Sequence, residues 1–280
     1  MKVNISDIFP SVFSKKTLIE KLPILKSEKF IPQSFNLEDF LKSPHFDKHF
    51  DTAIIKGKTD QIERFVNGKF TFIELGFSLL NHSWISHYSA LEIHQLANKD
   101  TTDLFITQEL TRKEYNSLNK ISQDAVDAAF GKSQRTLNQI FKFKNHRYYL
   151  LKTKFSNRLG VINLIYNNVE ISVTNIERTL IDCVVRPAYS GDVNTIIEVF
   201  SNARGKLDVT KMYDYLVQLD YIYPYHQAIG FLLEHTGYSA KDWSLFDLKP
   251  KHINFYLTYN IKNKYLNRRW MVYIPEDLVR

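Results

Sequence analysis

A single cysteine, Cys183, stands in the 280 residues. That scarcity excludes an internal disulfide and any cysteine-built zinc cage, and it suits a reducing, cytoplasmic setting. No apolar run approaches the roughly 20 residues that a helix needs to span a bilayer, and the opening Met1-Lys2-Val3-Asn4-Ile5-Ser6-Asp7 lacks the apolar stretch of a signal peptide. Nothing in the sequence calls for a membrane. Acidic residues are missing from two long stretches, one between Asp127 and Glu170 and one between Asp247 and Glu276. These stretches hold 14 of the 37 Lys and Arg residues, so the rest of the chain, with all 30 Asp and Glu, is net negative beneath a formal total of +7. Charge segregated in this way makes a local positive potential suited to phosphates or to an acidic partner.

Apolar residues, by contrast, are abundant. They make up 44% of the chain, with 20 Phe and 16 Tyr, which is too much apolar surface for a disordered polypeptide, and the length suggests two domains. Residues 1–69 carry short helical patterns, Lys15 to Leu22 and Leu37 to Leu41, with Pro23 and Pro32 as breakers. Asn67-Gly68 is a turn signal before the apolar run from Phe70, and the expected boundary falls near residues 66–70. Beyond it, Ser83 to Leu96 reads as a short extended piece entering a helix capped by Ser86. Asp103 to Thr107 reads as a buried strand. Strict alternation in Phe141-Lys142-Phe143-Lys144, followed by Asn145-His146 and a second run from Tyr148 to Phe155, predicts a hairpin with Phe inward and Lys outward. Thr174-Asn175-Ile176-Glu177 reads as a capping box opening a helix that Pro187 stops, with Arg178 and Asp182 placed to pair. Helices follow at Val193–Ala203, Val209–Leu219 and Tyr225–His235, the last ended by Gly237. Residues 253–259 and 269–274 read as strands.

Catalytic constellations fail one by one. Gly57-Lys58-Thr59 and Gly131-Lys132-Ser133 resemble the end of a phosphate-binding loop, but the glycine needed five residues earlier is Thr52 or Val126. Asp247-Leu248-Lys249 has the acid-x-Lys spacing of metal-dependent nucleases, and it carries the alternative reading of a nucleic-acid enzyme. It lacks an upstream acidic partner, and a helix end before a basic turn accounts for it. His82, His87 and His94 offer no third metal ligand at a recognisable spacing. Cys183 sits inside an apolar helix, where a thiol is buried and inert. The expectation is a protein that is not an enzyme, with no metal site and no cofactor.

Three segments carry a family likeness. Trp84-Ile85-Ser86-His87-Tyr88-Ser89-Ala90-Leu91-Glu92-Ile93-His94 resembles a helix of AbiEi-type antitoxins. Ile171 to Asp182 is similar to their segment ending in Glu-Arg-Thr-Leu-Ile-Asp. His226 to Glu234 resembles their Gly-containing helix ending in Leu-Leu-Glu, and Arg269-Trp270-Met271-Val272 matches a Trp-bearing strand near the end. The likeness runs from about residue 68 to 274 in the same order. It implies a type IV toxin–antitoxin protein that represses its own promoter and counteracts a nucleotidyltransferase toxin in phage defence by abortive infection, without an obligatory complex. The fold it implies is α+β, with a small, mainly helical, winged-helix-like domain over 1–69 that binds DNA. An AbiEi-like mixed α/β antitoxin domain with a helical bundle segment follows over 70–280.

On these readings the candidate nucleic-acid contacts are Lys15 and Lys16 on the best candidate for a recognition helix, and Lys56 and Lys58 on its wing side, where Arg64 and Lys69 add charge. The acid-free stretch supplies Lys142, Lys144, Arg147, Lys152 and Lys154. Arg268 and Arg269 are candidate partner contacts.

Overall fold

The computed structural model describes residues 4–98, 102–111, 121–136 and 139–279. The first elements are α1 (Ile5–Ile8), β1 (Val12–Phe13), α2 (Lys15–Ser27), α3 (Leu37–Leu41) and α4 (Pro44–Asp47). Strands β2 (Asp51–Lys56) and β3 (Gln61–Val66) precede α5 (Phe72–Leu79), β4 (Trp84–Ile85) and α6 (His87–Ile93). Then come β5 (Asp103–Glu109), α7 (Gln123–Phe130), β6 (Ile140–Phe143), β7 (His146–Thr153), β8 (Val161–Tyr166) and β9 (Val169–Thr174). A helical run follows, α8 (Ile176–Val185), α9 (Val193–Asn202), α10 (Val209–Leu219), α11 (Tyr225–His235) and α12 (Ala240–Asp247), before β10 (Phe255–Tyr256), β11 (Lys264–Asn267) and β12 (Val272–Pro275). The class is α+β, as the sequence suggests.

The chain forms two compact units, and their division departs from the expected boundary near residue 69. The first unit comprises residues 1–83, 101–108 and 138–151, and the second holds the remainder. The Asn67-Gly68 turn is present, with Gly68 left-handed at φ +77°. It does not end a domain, because it leads into α5, which Thr71 and Glu74 cap reciprocally. Gly76 of α5 lies so near β5 and β7 that a Cβ there would stand 2.6 Å from Leu104 and 2.7 Å from Ile106. The helix after the turn is thus bound to the first unit's own sheet, and sequence proximity alone does not reveal that closure.

In the first unit the strands run in the order β1-β3-β2-β6-β7-β5. Phe9, Phe13, Phe46, Phe50 and Phe65 form an aromatic cluster under α2 to α4, with rings such as Phe46 and Phe65 packed edge to face at 5.2 Å. Pro23, expected to break the chain, lies inside α2. Leu18 and Leu25 are fully buried on either side of it, and their burial outweighs the ~3 kcal/mol that an internal proline costs a helix.

The second unit is centred on α8 and α11. Its strands pair as β4-β9-β8 and, near the end of the chain, β10-β12-β11, where β11 was not anticipated by the sequence. The turn between β8 and β9 is Asn167-Asn168, both residues left-handed at φ 49° and 63°, as a tight hairpin requires. The cap of α8 is Asn175, whose side chain accepts from the N–H of Arg178, rather than Thr174. The Thr174 hydroxyl instead pairs with that of Thr179 at 2.8 Å. Helix α11 ends in a Schellman turn, with Gly237 at φ +83° and Tyr238 N–H donating to the Leu233 carbonyl.

One close approach organises this core. The fully buried Trp270 ring lies against Gly230 of α11, where a Cβ would fall 2.0 Å from it. Beside it, the Gln227 amide donates to the carbonyls of Ile253, Trp270 and Met271, tying α11 to the chain around β12. A Gly230→Ala variant must displace the indole. It is expected to lose about 1–3 kcal/mol, the usual cost of overpacking a filled core, although alanine is the better helix former. Chemical denaturation of the full chain checks this, and an unchanged or raised midpoint would refute the packing described.

Candidate nucleic-acid interface

Strand register in the first unit gathers basic residues that the sequence shows only as scattered. Lys56 on β2 faces Lys142 on β6, and Lys142 faces Arg147 on β7. Directly opposed residues share a sheet face, so these three side chains form one row about 10 Å across at the usual strand spacing. Like charges placed opposite one another work against strand pairing. Asp103 relieves one end, accepting from Arg147 Nε at 2.6 Å and Nη2 at 2.7 Å in a two-pronged ion pair. Lys56 and Lys142 are exposed and have no carboxylate partner among the described residues.

Lys58 follows Lys56 by two residues. It is exposed in the turn between β2 and β3, which is closed by the Gly57 N–H donating to the Asp60 carbonyl at 2.8 Å. The Gly57-Lys58-Thr59 sequence is therefore a hairpin tip. Lys144, at the tip of the β6–β7 hairpin, is likewise exposed, and its ammonium stands 5.5 Å from the Phe143 ring centroid. Phe141 is buried while Lys142 points outward, as alternation predicts. Lys15 and Lys16 are exposed at the start of α2, where Lys16 reaches Glu20 at 3.9 Å, a contact of little energetic weight at such exposure. Arg64 is engaged elsewhere, its Nε donating to the Ser78 carbonyl at 2.9 Å.

The remaining candidates lie in the second unit, and most of them already serve structure. Lys154 donates to the Asp220 carbonyl at 2.8 Å and sits over the Tyr221 ring, with burial lowering its pKa. Lys152 is half-buried at the end of β7. Arg269 lies between Glu234 at 3.3 Å and Asp247 at 3.2 Å, with its guanidinium 4.2 Å from the Trp243 ring centroid, so its charge is compensated internally. Arg268, its neighbour, is exposed. Asp247 also accepts from Lys251 at 2.7 Å, and the two cations hold its pKa below the ordinary carboxylate value. The nuclease spacing Asp247-Leu248-Lys249 thus marks a carboxylate engaged by two cations, while Lys249 lies over the Tyr213 ring.

Two of the segments that carry the family likeness, 84–94 and 171–182, hold buried polar contacts. Arg178 is only 1% exposed. It donates to Asp182 through Nε at 2.8 Å and to the Leu159 carbonyl through Nη1 at 2.8 Å. Glu177 accepts from the Asp208 N–H and pairs with Lys211 at 3.4 Å. His94 Nε2 meets the Thr174 carbonyl at 2.6 Å. The Ser86 hydroxyl does not cap α6; it bonds His87 Nδ1 at 2.8 Å. His87 is itself left-handed at φ 53°, a region where histidine, asparagine and aspartate are enriched among residues other than glycine. Cys183 is buried, and burial pushes its thiol up to about 12, which removes it as a nucleophile.

No protein-family model matches this sequence, and no curated protein matches it. Among solved structures, the crystal structure of the RV2827C protein from Mycobacterium tuberculosis is similar, with a TM-score of 0.56 at 9% identity. The match covers 94% of this chain and 86% of that one. At this identity the likeness concerns the fold. No helix among the described residues is long and apolar enough to cross a membrane.

Burial lowers the His87 pKa to about 4, with Arg186 and Arg178 adding to the effect against the attraction of Asp182. The unfolded chain takes up a proton near pH 6.5, before the folded one does. Stability from this group is therefore complete above pH 6.5 and declines as pH falls toward 4, by about 2–3 kcal/mol. Asparagine tolerates the left-handed backbone and does not titrate, so His87→Asn is expected to remove that share of the acid sensitivity. Denaturation midpoints at pH 7 and pH 4.5 check this, and a variant as acid-sensitive as the parent would contradict it.

Proposed function

We propose that this chain is a DNA-binding autoregulator and antitoxin of a type IV toxin–antitoxin system, a cytoplasmic protein that counteracts a nucleotidyltransferase-type toxin. The family likeness over residues 68–274 motivates the antitoxin half. One observation carries the DNA half: the row formed by Lys56, Lys142 and Arg147, with Lys58 exposed in the adjoining turn, lies where helices α2 to α4 are followed by a hairpin whose strands order as β1-β3-β2. Helices followed by such a hairpin support the winged-helix reading, in which residues 57–60 would be the wing.

Charge decides which part of this arrangement meets DNA. The pieces nearest the hairpin, α3 and α4, carry Glu38, Asp39 and Asp47, and Asp39 closes the capping box of α3. Lys42 and Lys48, the C-caps of these two pieces, offset two of the three acids, so the pair offers phosphates little net attraction. The wing and the β6–β7 face carry Lys56, Lys58, Lys142 and Lys144, so phosphate contact falls to the sheet. Phosphate contacts set register and affinity without reading sequence, and each released counterion steepens the dependence on salt.

Fluorescence anisotropy of the full chain with duplex DNA from its own promoter, over a series of salt concentrations, tests the reading. Each phosphate contact removed by Lys56→Ala or Lys142→Ala is expected to flatten the log–log salt slope by about 0.9. Binding that ignores salt, or variants with the parental slope, would refute the DNA half. Co-expression with the adjacent toxin gene tests the other half: the full chain should restore growth, and so should the Lys56→Ala/Lys142→Ala variant, whose second unit is unaltered.

A further inference from the structure

Strand β8 is the terminal member of its sheet: among the described residues it pairs with β9 and with no strand on its other side. Its sequence, Val161-Ile162-Asn163-Leu164-Ile165-Tyr166, contains no charge and no proline. Proteins ordinarily protect an open edge with lysine, proline, a bulge or a very short strand, because the unpaired N–H and C=O groups accept any extended backbone. None of these protections is present across six residues. The apolar side chains are uncovered as well, with Ile162 41% and Ile165 69% exposed. Register with β9 places them on opposite faces, since Ile162 lies opposite the buried Val173 and Ile165 opposite Glu170.

A strand laid beside β8 supplies partners for the open backbone and covers both isoleucines, so the occupant is an extended segment of apolar, uncharged character. The strand itself meets that description. In an antiparallel pair of two copies about a two-fold axis at Asn163, Ile162 of each copy stands opposite Leu164 of the other. On the opposite face Ile165 stands opposite Val161, and the two Asn163 amides meet on the axis. Apolar residues face apolar residues, amide faces amide, and no like charges oppose, which is the self-complementarity a two-fold interface requires. An acidic partner would find no cation on this strand to recognise.

We propose that β8 pairs antiparallel with β8 of a second copy of this chain, joining the two β9–β8 sheets across a two-fold axis at Asn163. The pairing is independent of the DNA-binding reading.

Light scattering on a sizing column, across a dilution series of the full chain without DNA, measures it. A concentration-dependent dimer is expected, weakened roughly tenfold or more by Ile165→Lys, which places a charge in the pair while leaving the Ile162–Leu164 face of β8 intact. Asn163→Cys gives a second readout. Under mild oxidation it should form a covalent dimer much faster than Asn194→Cys, an exposed control on α9, while the buried native Cys183 stays silent. A monomer at every concentration, together with Asn163→Cys cross-linking no faster than the control, overturns the proposal. So does a dimer indifferent to Ile165→Lys.

Discussion

Arg178 sets the terms for the second unit. A guanidinium with 1% of its surface exposed is tolerable only if its donors are met, because an isolated buried charge costs several kcal/mol. Asp182, one helical turn along, supplies the counter-charge, and the Leu159 carbonyl supplies a second acceptor. The second acceptor constrains the chain before β8. Leu159 can approach only because its neighbour Gly160 is left-handed at φ +74° and lacks the Cβ that would stand 2.6 Å from Arg178 Cβ. Helix α8, the entry to β8 and the β8–β9 hairpin are thus fixed together by one side chain, whose charge is fully engaged in doing so.

The same consideration separates the basic residues into two kinds. Lys154, Arg269, Lys251 and Arg178 each donate to a carbonyl or a carboxylate, and Arg269 with Lys251 together neutralise Asp247. These cations complete the fold of the second unit, and their attraction for an external anion is correspondingly reduced. Lys56, Lys58, Lys142 and Lys144 have no carboxylate partner among the described residues, and strand register sets two of them opposite each other. Net charge distinguishes none of this. Two acid-free stretches of similar composition turn out to hold mostly structural cations in one case and a partly open row in the other.

Local signals were legible in the sequence wherever the governing contact was itself local. The alternation of Phe141 to Lys144 gave the β6–β7 hairpin and its faces, the spacing of Arg178 and Asp182 gave their ion pair, and Gly237 gave the end of α11. The errors arose where distant residues decide. Asn175 caps α8 because Thr174 is drawn to Thr179, and no four-residue motif distinguishes the two. Pro23 fails to end α2 because Leu18 and Leu25 are anchored in a core assembled from residues up to Phe65. The compact units differ from a boundary near residue 69 because residues 103–108 and 140–151 return to the first unit's sheet. The pairing of Arg147 with Asp103 spans 44 residues and leaves no mark on the spacing of either.

That return of the chain also governs how the cationic row can be used. Lys56 reaches its place from the hairpin after α4, whereas Lys142 and Arg147 come from a hairpin more than 80 residues later, and a single backbone register joins them. A one-residue slip of β6 against β2 would turn Lys142 inward and Phe141 outward, because side chains alternate faces with a period of two. Burial of Phe141 against this slip is therefore what holds the row together, and it does so without contacting any ligand. The row's electrostatic cost, from cations opposed across a strand pair, is sustained by apolar packing on the opposite face of the same strands. Composition alone shows neither this opposition of cations nor the apolar packing that sustains it.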